Sequence, residues 1–194
     1  MPTARRAEPA LPHDLDRLAA RIWRCTRCDL HASRTHAVPG EGRTRAPLFL
    51  VGEAPGRDED SQGRPFRGAA GRILDEALSR AGIRRDEVFI TNAVKCRPRE
   101  NRKPLAPEVA ACRPFLLAQL ATVRPRVVVA LGETAIRDLL GPHSSLRRTR
   151  GRWTRIEDVP VLATYHPAAV LYNRRLFRRL VSDLRRARAE AESA

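Results

Sequence analysis

Three polar side chains of the 194-residue sequence stand directly after apolar, strand-like runs, and each could take part in chemistry: Glu53, Asn92 and His166. A carboxylate can orient a water, a carboxamide offers one acceptor and two donors, and an imidazole can donate a hydrogen bond near neutral pH. In an open parallel sheet, the loops after the strand ends line one edge, where ligands bind. We therefore expect these side chains to share a site, although Asn92 could equally cap a turn.

The loop 51–60 has the composition of a ligand-binding turn. Its Gly52-Glu-Ala-Pro-Gly56 segment lets backbone N–H groups approach a ligand without an intervening side chain. Carboxylates follow at 58–60, and Phe66 adds a flat apolar face unless it is an ordinary core phenylalanine. The loop lacks the lysine and hydroxyl residue of a phosphate-binding P-loop. From the residues alone, a solvated loop between a strand and a helix is an equal alternative.

The four cysteines suggest a metal centre. Cys25 and Cys28 form a C-x-x-C pair, whereas Cys96 and Cys112 are widely spaced. In a reducing compartment such a set favours a metal over disulfides, and both zinc and an iron–sulfur cluster accept four thiolates. Zinc usually takes two short pairs, so the wide second spacing slightly favours a cluster. Four unconnected buried thiols are the alternative.

Apolar periodicity predicts strands that alternate with helices. The predicted helices are 13–23, 71–81, 107–123, 133–140 and 174–192, and the predicted strands are 48–51, 88–91, 127–131 and 161–164. Aliphatic strands separated by helices form a parallel sheet that is covered on both faces. The predicted fold class is therefore α/β, a three-layer α/β/α arrangement with a central four-stranded parallel sheet. It forms a single domain over 13–194, preceded by a mobile N-terminal extension over 1–12.

The charge of the chain favours a polyanionic partner. The formal net charge is +15 and the isoelectric point is about 11.3, which makes nucleic acid the first partner to consider. The 37 basic residues include only two lysines, Lys95 and Lys103, a skew that a GC-rich genome also produces. No apolar run approaches the ~20 residues of a membrane span, and no secretory signal is present. We therefore expect a cytoplasmic protein with no membrane partner.

Five short motifs follow one another along the chain: Gly52-Glu-Ala-Pro-Gly56, Gly63-Arg-Pro-Phe66, Thr91-Asn-Ala-Val-Lys-Cys-Arg-Pro98, Ala111-Cys-Arg-Pro114 and His166-Pro-Ala168. Together with the cysteines, they resemble the family 4 uracil-DNA glycosylases, the iron–sulfur-containing bacterial and archaeal branch of the uracil-DNA glycosylase superfamily. The resemblance runs from about Trp23 to Leu184. It implies a four-stranded parallel sheet with the active-site cleft at its strand ends. It also implies a 4Fe-4S cluster, with zinc as the alternative, on four ligands: Cys25, Cys28, Cys96 and Cys112.

The resemblance implies a DNA-repair enzyme that flips uracil out of single- or double-stranded DNA and hydrolyses its N-glycosidic bond, leaving an abasic site. Phe66 would stack on the base, Asn92 would pair with its Watson–Crick edge, and His166 would donate to the O2 atom. Glu53 would orient the water, because Ala54 stands where the better-known branch of the superfamily has an aspartate. The remaining pocket residues would be Gly52, Ala54 and Glu59, with Glu59 or Asp60 as substitutes for Glu53.

The same resemblance implies how DNA is held. The segment after His166 would supply an apolar wedge that enters the duplex, formed by Ala168, Ala169, Val170 and Leu171. Cations would contact phosphates and make the affinity salt-dependent; these are Lys95, Arg97, Arg99, Arg102, Lys103 and Arg174. The protein would act as a monomer at the nucleoid.

Two other functions fit parts of the pattern. One is that of a relative that becomes covalently trapped on uracil-DNA, which carries a histidine in the loop after the second strand; the segment 96–112 has none. The other is a non-catalytic, metal-stabilised nucleic-acid-binding module. That module would explain the charge and the cysteines but not the positions of Asn92 and His166.

Overall fold

A mixed β-sheet with helices on both faces forms the body of the protein. The structure is a computed structural model that describes Leu11 and residues 14–193. Within these residues the strands are β1 (Glu41–Gly42), β2 (Leu48–Gly52), β3 (Val88–Asn92), β4 (Val127–Leu131), β5 (Trp153–Ile156) and β6 (Val159–Thr164). The helices are α1 (Leu15–Trp23), α2 (Arg57–Gln62), α3 (Ala69–Arg80), α4 (Ala106–Val123), α5 (Glu133–Leu140), α6 (Leu146–Thr149), α7 (Pro167–Tyr172) and α8 (Leu176–Ser193).

The strands pair in the order β1-β3-β2-β4-β6-β5. The middle four run parallel, whereas β1 and β5 pair antiparallel at the two edges. The α/β class is confirmed. The four predicted strands form the parallel centre of the sheet, but the described residues extend it to six strands by adding an antiparallel strand at each edge. Neither edge strand contains an apolar run: β1 has two residues, and β5 alternates between exposed and half-buried side chains.

Side chains of the parallel strands alternate between two cores. Leu48 and Leu50 of β2 belong to the core shared with α3, α7 and α8, and Phe49 and Val51 belong to the core shared with α4 and α5. All four are at most 3% exposed, so both faces of the sheet are covered. Full burial of such a side chain is worth about 1.5–3 kcal/mol. A third apolar cluster joins α1 to α4 around the cysteines.

The predicted helices are present with shifted ends. α1 begins at Leu15 because the Asp14 side chain accepts a hydrogen bond from the Arg17 backbone N–H (2.8 Å) and caps the helix. α3 and α4 begin before their predicted starts, and α8 begins after its own. Apart from Leu11, the predicted extension 1–12 lies outside the described residues, and the single domain over 13–194 stays a prediction. None of the helices in the described ranges is long and apolar enough to cross a membrane.

The loop that carries Phe66 packs tightly against the first turn of α3. Phe66 has a positive φ of 52°, and its carbonyl oxygen lies 2.1 Å from the place where a Cβ on Gly71 would be. Since no real Cβ approaches an oxygen so closely, a glycine is required for the helix to contact this loop.

Gly71→Ala should destabilise the fold although alanine is the better helix former. Helix propensity alone would stabilise α3 by about 1 kcal/mol, whereas the collision with the Phe66 carbonyl forces the backbone apart and costs about 1–3 kcal/mol. We expect a lower free energy of unfolding in a urea titration. The control Ala70→Gly, on the same helix, should lose only the propensity difference. A Gly71→Ala protein more stable than the wild type would contradict the close approach.

Candidate active site at the strand ends

The carboxyl ends of β2 and β3 lie side by side, with Gly52 in register with Asn92. A Cβ on Gly52 would lie 2.4 Å from Asn92 Oδ1 and 2.6 Å from Phe66 Cζ. The Phe66 ring in turn stacks against the His166 ring, with centroids 5.7 Å apart. The structure therefore brings Phe66, Asn92 and His166 together around a glycine whose missing side chain leaves them room.

Asn92 presents a carboxamide to which no described residue forms a hydrogen bond. Its side chain is 2% exposed, and its main-chain carbonyl accepts a hydrogen bond from Lys95 Nζ. Within the described residues, the side-chain amide itself makes no hydrogen bond. The amide atoms are not among the fully enclosed, unpaired polar atoms of the described residues, so they remain reachable from the pocket. A ligand with one donor and one acceptor at the right spacing could pair with both of them.

His166 is held so that one ring nitrogen faces its own helix. It is the N-cap of α7, and its Nδ1 accepts a hydrogen bond from the Ala168 backbone N–H (3.1 Å). The proton of the neutral ring therefore lies on Nε2, which is free to donate. Burial lowers the pKa of His166 below its ordinary value, and the carboxylates of Glu53 and Glu59 oppose that shift without overcoming it. The ring is neutral at neutral pH.

Glu53 keeps one of its two carboxylate oxygens available. It is half-buried, follows β2 directly, and accepts a hydrogen bond through Oε2 from Thr134 Oγ1 on the first turn of α5. Its Oε1 makes no hydrogen bond to any described group. Thr134 was not predicted from the sequence as a site residue. Its position just after β4, at the same edge of the sheet as the other strand ends, could have indicated it.

Glu59 and Asp60 are engaged in holding the loop. Glu59 Oε1 accepts from the backbone N–H groups of Arg67 (2.7 Å) and Gly68 (2.8 Å), and its Oε2 accepts from Gly56 N (3.0 Å). Asp60 Oδ1 accepts from Thr35 N (2.9 Å). Both acids lie in the first turn of α2, where a carboxylate also favours the helix dipole. Both acids thus help to hold the loop in place. A contact between Glu59 and the substrate, and the use of Glu59 or Asp60 in place of Glu53, stay predictions.

The four cysteines line one cavity between α1, α4 and the segment after β3. None forms a disulfide. Arg34 Nη1 donates to Cys96 Sγ (3.0 Å), and the Lys95 backbone N–H donates to Cys112 Sγ (3.3 Å). Burial raises the pKa of the Cys112 thiol to about 12 and raises the pKa values of Cys28 and Cys96. In the described part of the chain, no group of three or more His, Cys, Asp or Glu side chains is arranged to hold a single metal ion. Ala54, predicted to line the pocket, is half-buried and packs against this cluster.

Two residues predicted to contact DNA are buried instead. Lys95 is 1% exposed, and burial lowers the pKa of its ammonium group to about 8. Val170 is also 1% exposed and belongs to the core beneath α7. Neither can reach a phosphate or a base step, so both predictions are wrong. The exposed apolar tip of α7 consists of Leu171 and Tyr172, which are 50% and 92% exposed.

The other predicted DNA contacts lie at or near the surface. Arg99, Arg102, Lys103 and Arg174 are exposed, and Arg97, Ala168 and Ala169 are partly buried. Some of these cations already have acceptors: Arg102 forms a bidentate pair with Glu108 (2.6 and 2.9 Å), and Arg174 pairs with Glu76 (3.2 Å). Arg97 donates to Asn101 Oδ1 (2.8 Å).

Comparison with known proteins places the sequence in a family. A family model described as the uracil-DNA glycosylase superfamily matches residues 39–185. A type-4 uracil-DNA glycosylase from Pyrobaculum aerophilum is 49% identical over 81% of this chain and 85% of the relative. A second, from Archaeoglobus fulgidus, is 43% identical over 89% of this chain and 90% of the relative. A type-5 uracil-DNA glycosylase from P. aerophilum is 38% identical over 79% of this chain and 76% of the relative.

The family model matches most of the chain, and the two type-4 relatives are 49% and 43% identical along most of it. The chain therefore belongs to the uracil-DNA glycosylase superfamily, and to its type-4 branch.

Proposed function

We propose that this protein removes uracil from DNA, releasing the free base and leaving an abasic site. The observation that carries the proposal is the buried, unpartnered Asn92 carboxamide beside the Phe66 ring. A base inside a duplex cannot reach such a slot. The nucleotide must therefore be extruded, at a cost of a few kcal/mol of unstacking.

The Asn92 carboxamide distinguishes uracil from cytosine. Its Oδ1 accepts from the uracil N3–H and its Nδ2 donates to O4, which satisfies both groups at once. Cytosine presents an unprotonated N3 and an amino group at the same positions, so acceptor would face acceptor and donor would face donor. Sites that leave buried polar groups unpaired discriminate strongly. The Phe66 ring supplies the stacking surface for the base.

Bond cleavage needs a place for negative charge. When the C1′–N1 bond breaks, its electron pair leaves with uracil and the charge spreads onto O2, while the sugar takes on oxocarbenium character. His166 Nε2–H donates to that oxygen, and a fixed donor of this kind needs no reorganisation during the reaction. A water then adds to C1′ and gives up a proton. Glu53 orients this water through Oε1 while Thr134 holds Oε2, and its carboxylate accepts the proton.

DNA is held by exposed cations and an apolar tip. Arg97, Arg99, Arg102, Lys103 and Arg174 contact phosphates, which makes affinity depend on salt without reading sequence. We assign the wedge to the Leu171–Tyr172 tip because Val170 is buried; Ala168 and Ala169 flank it. We further propose that the protein acts as a monomer on single- and double-stranded DNA, in the cytoplasm at the nucleoid, where such a substrate is found.

The cysteine cavity suits a 4Fe-4S cluster. All four thiols line it, and two sulfurs receive N–H donors as cluster ligands do. Cys25, Cys28, Cys96 and Cys112 would hold the cluster, with zinc as the alternative. The group would supply a covalent cross-link between α1 and the segment that carries Asn92. It takes no part in the glycosidic step.

The freshly purified protein should be brown and contain about four iron atoms and four sulfides per chain. Replacing Cys96 by Ser should remove most of the iron and lower the melting temperature, because a buried ligand is lost. Metal analysis and visible absorption measure both effects. A colourless protein with one zinc per chain would identify the alternative metal.

His166→Ala should slow uracil release by about 10²–10³-fold at saturating enzyme, the usual effect of removing one oxyanion donor. The affinity for uracil-free DNA should not change, because the ring touches only the base. A single-turnover assay that detects alkali-labile breaks and a fluorescence binding titration measure the two quantities. Iron-loaded wild-type protein that leaves uracil-DNA intact would refute the proposed function. A denaturation-resistant protein–DNA adduct would instead indicate the trapped relative.

The rate of uracil release should stay level as the pH falls through about 6.5, the ordinary pKa of histidine. The folded-state pKa of His166 is lower, so the ring keeps its neutral form, with Nδ1 bound to Ala168 N–H, until more acid conditions. The folded protein also binds fewer protons than the unfolded chain in that window, so the free energy of unfolding should fall as the pH drops below about 6.5. Single-turnover rates between pH 8 and 5 check the expected rate, and urea titrations over the same pH range check the expected free energy of unfolding. A half-maximal rate at or above pH 6.5 that His166→Asn abolishes would contradict it.

A further inference from the structure

Lys95 lies where the segment that carries two of the cysteines meets the end of β3. It directly precedes Cys96, and its backbone N–H donates to Cys112 Sγ (3.3 Å). Its own carbonyl accepts from Val38 N (2.7 Å). The main chain of Lys95 is therefore fixed from both sides.

The Lys95 side chain turns back toward the strand end. Its Nζ donates to the main-chain carbonyl of Asn92 (2.6 Å), to Thr91 Oγ1 (2.7 Å) and to Gln119 Oε1 (2.7 Å). An ammonium group has three N–H donors and each finds an acceptor, so the group has a single orientation.

The acceptors are fixed in their turn. Thr91 Oγ1 and Gln119 Nε2 both donate to the carbonyl of Pro39 (2.8 and 2.6 Å). Gln119 lies on α4, about two turns beyond Cys112. Lys95 therefore connects the β3 end to the helix that carries Cys112. Movement of Asn92 would break hydrogen bonds that reach three separate parts of the chain.

Burial of this ammonium group is costly. Within the described residues, all three of its hydrogen-bond acceptors are neutral oxygens and no carboxylate pairs with it. An apolar side chain of similar length would fill the same space without the desolvation penalty. Because the buried Lys95 ammonium group lowers stability, we expect it to serve by fixing the positions of the residues to which it donates.

We propose that Lys95 is a positioning residue for uracil recognition. Its bond to the Asn92 carbonyl fixes the main chain at the strand end, and this fixes the direction of the Asn92 carboxamide toward the base. The inference rests on the proposed function, since it concerns the base that Asn92 reads. Lys95 itself touches no substrate.

A double-mutant cycle tests the coupling. Lys95→Met, Asn92→Ala and the double variant are compared by single-turnover uracil release. We expect Lys95→Met to cost roughly 10–100-fold in the wild-type background and less than about threefold when Asn92 is already alanine, as for residues that act through one another. A residue with only a structural role would give losses that multiply in the double variant, and that result would overturn the proposal.

Inhibition of the reaction by free uracil gives a second measurement, which reports the affinity of the site for the base alone. Lys95→Met should raise the Ki for uracil by a similar factor and leave the Kd for abasic DNA unchanged, because abasic DNA has no base to read. The milder variant Thr91→Val removes one acceptor of the ammonium group and should shift the uracil Ki in the same direction by less. Unchanged uracil inhibition in both variants would overturn the inference.

Leu184→Ala controls for general destabilisation. Leu184 is fully buried in the core shared with α3, α7 and α8, and its truncation should lower the melting temperature without touching Lys95. Its uracil Ki should match the wild type. If the wild type releases no uracil, the proposed function fails. If it does and the cycle is multiplicative, only the role of Lys95 fails.

Discussion

The site depends on the absence of a side chain at Gly52. Any Cβ there would collide with both Asn92 Oδ1 and the Phe66 ring, so the carboxamide and the aromatic face can only be neighbours across a glycine. Parallel pairing of β2 and β3 sets the other half of this arrangement, because it places Gly52 opposite Asn92. Sheet register and one missing methyl group thus fix the distance between the group that reads a base and the group that stacks on it.

Carboxylates near the site divide into two classes by what they contact. Glu59 and Asp60 accept backbone N–H groups and shape the loop, whereas Glu53 keeps one oxygen unbonded within the described residues. The sequence separates Glu53, which directly follows a strand, from the acidic run at 58–60, but it does not show what Glu59 and Asp60 contact. The partners of Glu59 and Asp60 lie up to 25 residues away, and only the folded chain brings them into contact.

The sequence predicted what short-range patterns determine. Unbroken aliphatic runs identified the four parallel strands, and their ends located Glu53, Asn92 and His166. The edge strands β1 and β5 were missed because an edge strand buries little and needs no apolar run. Val170 was misread for a related reason. α7 begins at Pro167, and helical rotation turns Val170 into the core while it carries Tyr172 outward.

Lys95 shows a different limit of prediction. In the sequence it opens a strongly basic segment, 95–103, and the other cations of that segment do lie at or near the surface. Its burial follows from acceptors that are supplied by Thr91, Asn92 and Gln119, a combination that spans β3 and α4. A pattern of charge along the chain reports net electrostatic attraction, but it cannot tell which cation is retained inside.

Electrostatics in the pocket then favour a stabilised anion over a transferred proton. Two effects compete at His166: burial lowers the pKa, and the carboxylates of Glu53 and Glu59 raise it, with burial the larger. The neutral ring that results still donates through Nε2, because Nδ1 is occupied by Ala168 N–H. A donor that keeps its proton stabilises the departing oxyanion throughout the bond-breaking step. The net charge of +15 adds a long-range positive potential. This potential attracts the DNA and also favours the negative charge that develops on uracil.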